Sequence, residues 1–213
     1  MTIRRLIHVA AITAMALFVT AASASTITWN SNTGSAYVST SGGTITGGGL
    51  VLESNGGTSS EITFTPNVAS TNAPPSNVDF GDFLLTCNSC GTATFGAFTF
   101  DLVIDDTTDG AFGTFVGTST GGTVTATSST ISISWLPLQL GPGTSNASSG
   151  NFGPTEFEVP NLTLIVAPNS GTPQGDTSIQ GVLTSTLVPE PATLAMSGLA
   201  LIGLAALARK RRK

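Results

Sequence analysis

From Ser25 to Val188 the chain has no lysine, arginine or histidine: the seven Lys and Arg residues lie at positions 4, 5 and 209–213, and the sole histidine is His8. That absence removes whole classes of chemistry. Ser-His-Asp and Cys-His mechanisms need an imidazole base, phosphoryl transfer relies on Lys or Arg clamps, and zinc or iron catalysis usually takes His ligands. What survives is chemistry by carboxylates alone, either a glycosidase-like acid and base pair or a calcium site with oxygen ligands. The expectation is a protein that is not an enzyme and requires no cofactor, with calcium the one candidate. Eleven carboxylates remain in this stretch (Glu53, Glu61, Asp79, Asp82, Asp101, Asp105, Asp106, Asp109, Glu156, Glu158 and Asp176) with no basic side chain to pair them. Such a polyanion stays soluble and repels nucleic acid, so no nucleic-acid partner is expected.

Ala-Leu-Glu-Lys helix formers are also scarce, and no amphipathic helix is apparent. Thr, Ser, Gly, Asn and Val dominate instead, with short apolar stretches between turn residues, which predicts an all-β fold. Phe98, Phe100, Leu102 and Ile104 alternate with Thr99, Asp101 and Val103, the period-2 pattern of a half-buried strand. Ile131, Ile133 and Trp135 share a face in the same way. Weaker strand candidates are 26–29, 36–39, 50–53, 61–65, 83–86, 123–127, 155–159, 162–166 and 181–186. Roughly ten strands suggest a single antiparallel β-sandwich, jelly-roll-like. Segments 66–79, 137–154 and 167–178 read as long loops, and 42–49 and 55–60 as glycine turns.

Within this body few residues point to a site. Cys87 and Cys90 are the only cysteines; in an exported protein a Cys-Asn-Ser-Cys pair predicts a structural disulfide, and the helix that a redox motif needs is lacking. The acidic cluster Asp105-Asp106-Thr107-Thr108-Asp109-Gly110 partly matches an EF-hand-like loop, but its third position is Thr107 and its twelfth Val116. A hairpin turn at Asp-Gly explains it as well, so Asp105, Asp106 and Asp109 are candidate calcium ligands only. Repeated Thr-x-Thr pairs could form a flat binding face, although threonine is also an ordinary solvent-facing strand residue. Trp29 and Tyr37 are candidate glycan contacts if they lie exposed, whereas Trp135, in phase with Ile131 and Ile133, belongs to the core.

The two ends carry addresses. Arg4 and Arg5 precede an apolar stretch from Leu6 to Val19, and the small residues Ala22-Ser23-Ala24 follow. This is the order of a secretory signal peptide over 1–24, with cleavage after Ala24 and a mature chain from Ser25. The apolar core is short of the roughly 20 residues that a spanning helix needs. At the other end stand Val188-Pro189-Glu190-Pro191, an apolar run over 192–208, and Arg209-Lys210-Arg211-Arg212-Lys213. The run suffices for one transmembrane helix, and the basic cluster holds its C-terminal side in the cytoplasm by the positive-inside rule. Each proline fixes its own φ and pushes the residue before it towards extended geometry, so Val188 and Glu190 are held extended at the bilayer surface, a form that a protease-like site can bind.

This sequence of Pro-Glu-Pro, apolar span and terminal basic cluster over 189–213 resembles the PEP-CTERM sorting signal of bacterial envelope proteins. The resemblance implies export by the secretion machinery, a transient hold in the inner membrane, and cleavage near Pro189–Pro191 by an exosortase. It further implies delivery of the body, 25–188, to the cell surface or the extracellular matrix. The reading is an exported, non-catalytic structural or interaction protein of the surface or exopolysaccharide. The alternative is a carbohydrate-binding adhesin module, calcium-assisted, using Trp29 or Tyr37.

Overall fold

The computed structural model of the protein describes residues 25–56, 60–87, 91–142, 147–168 and 174–186. The expected signal peptide and transmembrane helix lie outside the described residues. Among the described residues, no helix is long and apolar enough to cross a membrane. Ser25–Thr186 forms one compact unit.

In chain order its strands are β1 (Ile27–Asn30), β2 (Ala36–Thr40), β3 (Thr44–Thr46), β4 (Val51–Glu53), β5 (Ser60–Pro66), β6 (Ser70–Asn72), β7 (Ser76–Cys87), β8 (Ala93–Phe95), β9 (Phe98–Asp106), β10 (Ala111–Ser119), β11 (Gly122–Val124), β12 (Ser132–Leu136), β13 (Gln139–Leu140), β14 (Ala147–Ser149), β15 (Thr155–Glu158), β16 (Leu162–Leu164) and β17 (Gln174–Ser185). One eight-stranded sheet runs β16-β12-β10-β9-β1-β6, with β14 also on β10 and β2 also on β9; a seven-stranded sheet runs β13-β15-β17-β7-β5-β4-β3; β8 and β11 form a ribbon. The fold is all-β with antiparallel sheets, and one sheet curls into a half-barrel.

The alternation read in the sequence sets the core. Along β9 the side chains of Phe98, Phe100, Leu102 and Ile104 are buried while those between them are half-buried. Phe100 of this sheet meets Phe64 and Phe83 of the other at ring-centroid distances of 4.8 and 5.1 Å. Farther along the interface Trp29 meets Phe80 at 5.2 Å and Phe157 at 5.9 Å. These edge-on pairs each add roughly 0.5–1.5 kcal/mol beyond the area they bury.

Two long strands depart from the sequence reading, each for a local reason. β7 extends back to Ser76 through a segment expected to be loop. Its buried positions are Val78 and Phe80, then Phe83 and Leu85, so the alternation changes phase at Gly81. The shift is a β-bulge, matched by a register break between Ser178 and Gln180 in β17. Gly81 has φ +128°, and a Cβ there would lie 2.6 Å from the Thr65 carbonyl oxygen and 2.7 Å from the Phe64 ring. β10, central in its sheet, points Ala111, Gly113, Phe115 and Gly117 inwards while Phe112 and Val116 face out, so its apolar pattern is masked. A Cβ on Gly117 would meet Ile133 Cγ2 at 2.6 Å and Trp135 Cζ3 at 2.8 Å, so large neighbours fill the space the glycine leaves.

The segments 66–79, 137–154 and 167–178 likewise contain β6, the start of β7, β13, β14 and the start of β17, and 42–49 contains β3. Backbone pairing overrides their turn-forming composition.

Phe100→Ala should lower unfolding stability by roughly 3–5 kcal/mol in a urea titration, because the cavity opens where both sheets meet. Val38→Ala, at an exposed strand position, should change it by less than about 0.5 kcal/mol.

Candidate functional site

The acidic cluster forms the turn between β9 and β10, as the Asp-Gly pair suggests, and Asp106 pairs with Ala111 across it. Strand alternation then separates the three aspartates. Asp105 faces outwards and its Oδ2 accepts a hydrogen bond from Asn30 Nδ2 at 3.2 Å. Asp106 turns inwards and is fully buried; its Oδ1 accepts the backbone N–H groups of Thr108 (3.0 Å) and Asp109 (3.2 Å). Asp109 Oδ2 accepts from Thr155 Oγ1 at 3.1 Å. The expected calcium ligands are therefore not brought together as one set. Among the described residues, no group of three or more His, Cys, Asp or Glu side chains is placed to hold a metal ion.

Asp106 is the residue of this turn whose chemistry the sequence reading missed. Its Oδ2 is buried with no hydrogen-bond partner among the described residues, and no basic residue exists in the body to pair it. Burial, followed by the neighbouring charges of Asp109 and Asp105 and opposed by the two backbone N–H bonds, pushes its carboxyl up to about 6. A signal was present in the sequence: Asp106 continues the even-numbered series of Phe98 to Ile104, the inward face. Asp79 is raised too, by burial first and then by Asp82 and Asp176.

The candidate glycan contacts are corrected by the structure. Trp29 is 1% exposed and Tyr37 3%, so neither offers a ring face to a sugar. Trp29 lies in phase with Ile27 on β1, its Nε1 donating to Asn72 Oδ1 at 3.1 Å. Tyr37 packs among Phe83, Phe98 and Phe100. Burial also raises its phenol well above the usual value. Trp135 is in the core as expected, donating through Nε1 to Thr163 Oγ1 at 2.8 Å.

Two of the grooves among the described residues each hold one carboxylate. One, of about 280 Å³, lies between Gly34, Val103 and Phe112 with Asp105; the other, of about 300 Å³, lies between Asn77, Pro160 and Gln180 with Glu158. Neither holds the pair of carboxyls that glycoside hydrolysis needs. Cys87, at the end of β7, is buried. No free cysteine is found among the described residues, and Cys90 lies outside them.

The raised Asp106 value fixes the sign of a pH effect. Because the folded-state value lies above the ordinary 3.8, the stability it confers is complete below about pH 4 and is lost as pH rises through about 6. The melting temperature should therefore be higher at pH 4.5 than at pH 7.5. Asp106→Asn should flatten that slope and stabilise the protein at pH 7.5 by roughly 1–2 kcal/mol. An unchanged slope in the variant would place the pH dependence elsewhere.

The sorting residues Val188, Pro189, Glu190 and Pro191 and the basic residues 209–213 lie outside the described residues, as do Ala22 and Ala24 of the signal cleavage site. They are reached by comparison. The family model described as PEP-CTERM protein-sorting motif matches residues 187–212. No curated protein and no solved structure matches the chain. The chain thus carries a C-terminal PEP-CTERM protein-sorting motif, which implies an exosortase as partner and sorting to the cell envelope.

Proposed function

We propose that this protein is an exported, non-catalytic structural or interaction protein whose β-sandwich body, jelly-roll-like and spanning 25–188, is released from a transient membrane tether. The tether is the single helix 192–208. An exosortase cuts near Pro189–Pro191, and the body joins the cell surface or the exopolysaccharide matrix. The observation that carries this reading is the conjunction of the sorting motif at 187–212 with a body that lacks every basic side chain. Without Lys, Arg or His in the body, the only side-chain chemistry left to it is that of carboxylates. The signal peptide 1–24 delivers the chain, with Ser25 as the mature N-terminus, and calcium is not required.

Replacing Pro189, Glu190 and Pro191 together with alanine should leave export intact and trap the protein in the membrane fraction. Release of the variant equal to that of the wild type would contradict processing through this motif.

We also propose that Cys87 and Cys90 form a disulfide in the exported protein. Under denaturing conditions iodoacetamide should label neither before reduction and both after it. Labelling without reduction would contradict the bond. Reduction should cost less than the roughly 3 kcal/mol expected for a 15-residue loop, since the loop closed is very short.

A further inference from the structure

Among the described residues, exposed apolar side chains concentrate at one end of the eight-stranded sheet. Leu162 is 48% exposed, Leu164 62%, Val166 52% and Leu136 75%. Between them Thr163 and Ile165 point inwards and are buried, so this segment is apolar on its outer face as well as its inner one. β16 ends the sheet and pairs with β12 alone.

The register settles which backbone groups turn away from β12. Ser132 pairs with Leu164, Ile133 with Thr163 and Ser134 with Leu162. The flanking bonds run from Trp135 N–H to the Asn161 carbonyl and from Ile165 N–H to the Ile131 carbonyl. In an antiparallel ladder alternate residues turn their N–H and C=O to the same neighbour. Asn161, Thr163 and Ile165 therefore face β12, while Leu162, Leu164 and Val166 turn their main-chain groups away from it. Val166 N–H donates to Thr177 Oγ1 at 2.8 Å, which leaves the groups of Leu162 and Leu164 without a partner strand among the described residues.

Charge identifies what can meet it. The body bears only negative charge, so a second copy is repelled wherever carboxylates face one another. Residues 110–155 and 159–175 contain no charged side chain at all, so β10, β12 and β16 are wholly uncharged. The strands ending the two sheet paths differ in this respect. β3 lies beside Glu53 and β13 beside Glu158, while β6 is uncharged but made of Ser70, Thr71 and Asn72. Only β16 among these four is both apolar outwards and free of adjacent charge. No lysine blunts it, the usual protection of an exposed edge.

We propose that β16 is a self-association edge, at which a second copy of this chain adds its own β16 antiparallel and continues the eight-stranded sheet across a twofold axis at Thr163. In this register Leu162 of one copy lies opposite Leu164 of the other, twice. Each such pair exchanges two backbone hydrogen bonds, and the leucine side chains line up on the outer face. The same patch serves both copies, as a twofold interface requires. This inference concerns the body alone and stands apart from the sorting reading.

Sedimentation equilibrium of the full chain in density-matched detergent tests it. The wild type should show a concentration-dependent dimer, and Leu162→Glu with Leu164→Glu should weaken it by about tenfold or more, since like charges then face each other. Leu162→Lys with Leu164→Glu should restore it, because opposite charges face in the proposed register. Val38→Glu, on β2, should leave the dimer unchanged. Circular dichroism of each variant checks that its sheet content is intact. Hydrogen exchange of the wild type gives a reading without substitution: the Leu162 and Leu164 amides should become protected as concentration rises. A wild type that stays monomeric, a dimer that survives both glutamates, or amides whose exchange ignores concentration would overturn the proposal. Binding of the monomeric wild type to phosphatidylcholine vesicles, lost with the two glutamates, would assign the patch to a lipid surface and equally overturn it.

Discussion

A body with charges of one sign cannot use ion pairs, and its fold must rest on what remains. The aromatic layer between the sheets supplies the main attraction, centred on Phe100 with Phe64, Phe83 and Tyr37, and on Trp29 with Phe80 and Phe157. Hydroxyl groups take over the polar linking that charged side chains often provide. Ser31 Oγ donates to the Phe80 carbonyl at 2.6 Å, joining β1 to β7, and Ser60 Oγ donates to the Thr86 carbonyl at 2.6 Å. Both serines are buried. Neutral hydrogen bonds of this kind are worth about 1 kcal/mol each, and they do not weaken as salt screens the surface. The same constraint isolates Asp106, a buried carboxyl for which the body offers no cation.

How much of this was legible in the sequence depended on whether a strand kept its period and buried large side chains. β9 and β12 did both, and their faces were read correctly down to Trp135. β10 kept its period but placed Gly113 under Leu140 and Phe152 and Gly117 under Ile133 and Trp135, so the apolar signal moved to the wrong face. β7 broke its period at the Gly81 bulge, so only its second half looked like a strand. The aromatic residues were misread for a related reason. Trp29 shares the phase of Ile27, which marks it as core, but a four-residue strand gives that phase little weight. Tyr37 sits beside a register break between Tyr37 and Ser39, where no alternation is available to read. The hairpin at Asp109-Gly110 was visible because turn chemistry is local; the scatter of its carboxylates was not, because it depends on partners such as Asn30 and Thr155, distant in sequence.

The address was legible because it is written in short-range terms: fixed prolines, one apolar run and a basic cluster act without a tertiary fold. The body's role is a tertiary property. Its lack of basic residues narrows the chemistry, its buried tryptophans and tyrosine offer no ring face to a sugar, and its uncharged edge at β16 offers a place for copies to meet. Together these support the proposed reading of a non-catalytic, self-associating module delivered by a sorting system.

The most direct test of that account is the intact mass of the protein recovered from the surface or medium of the cells that produce it. The account predicts a chain beginning at Ser25 and ending within Val188–Pro191, together with the mass of whatever replaces the tail. A mass that still includes Lys213 would contradict it, leaving an anchored ectodomain that no exosortase has cut.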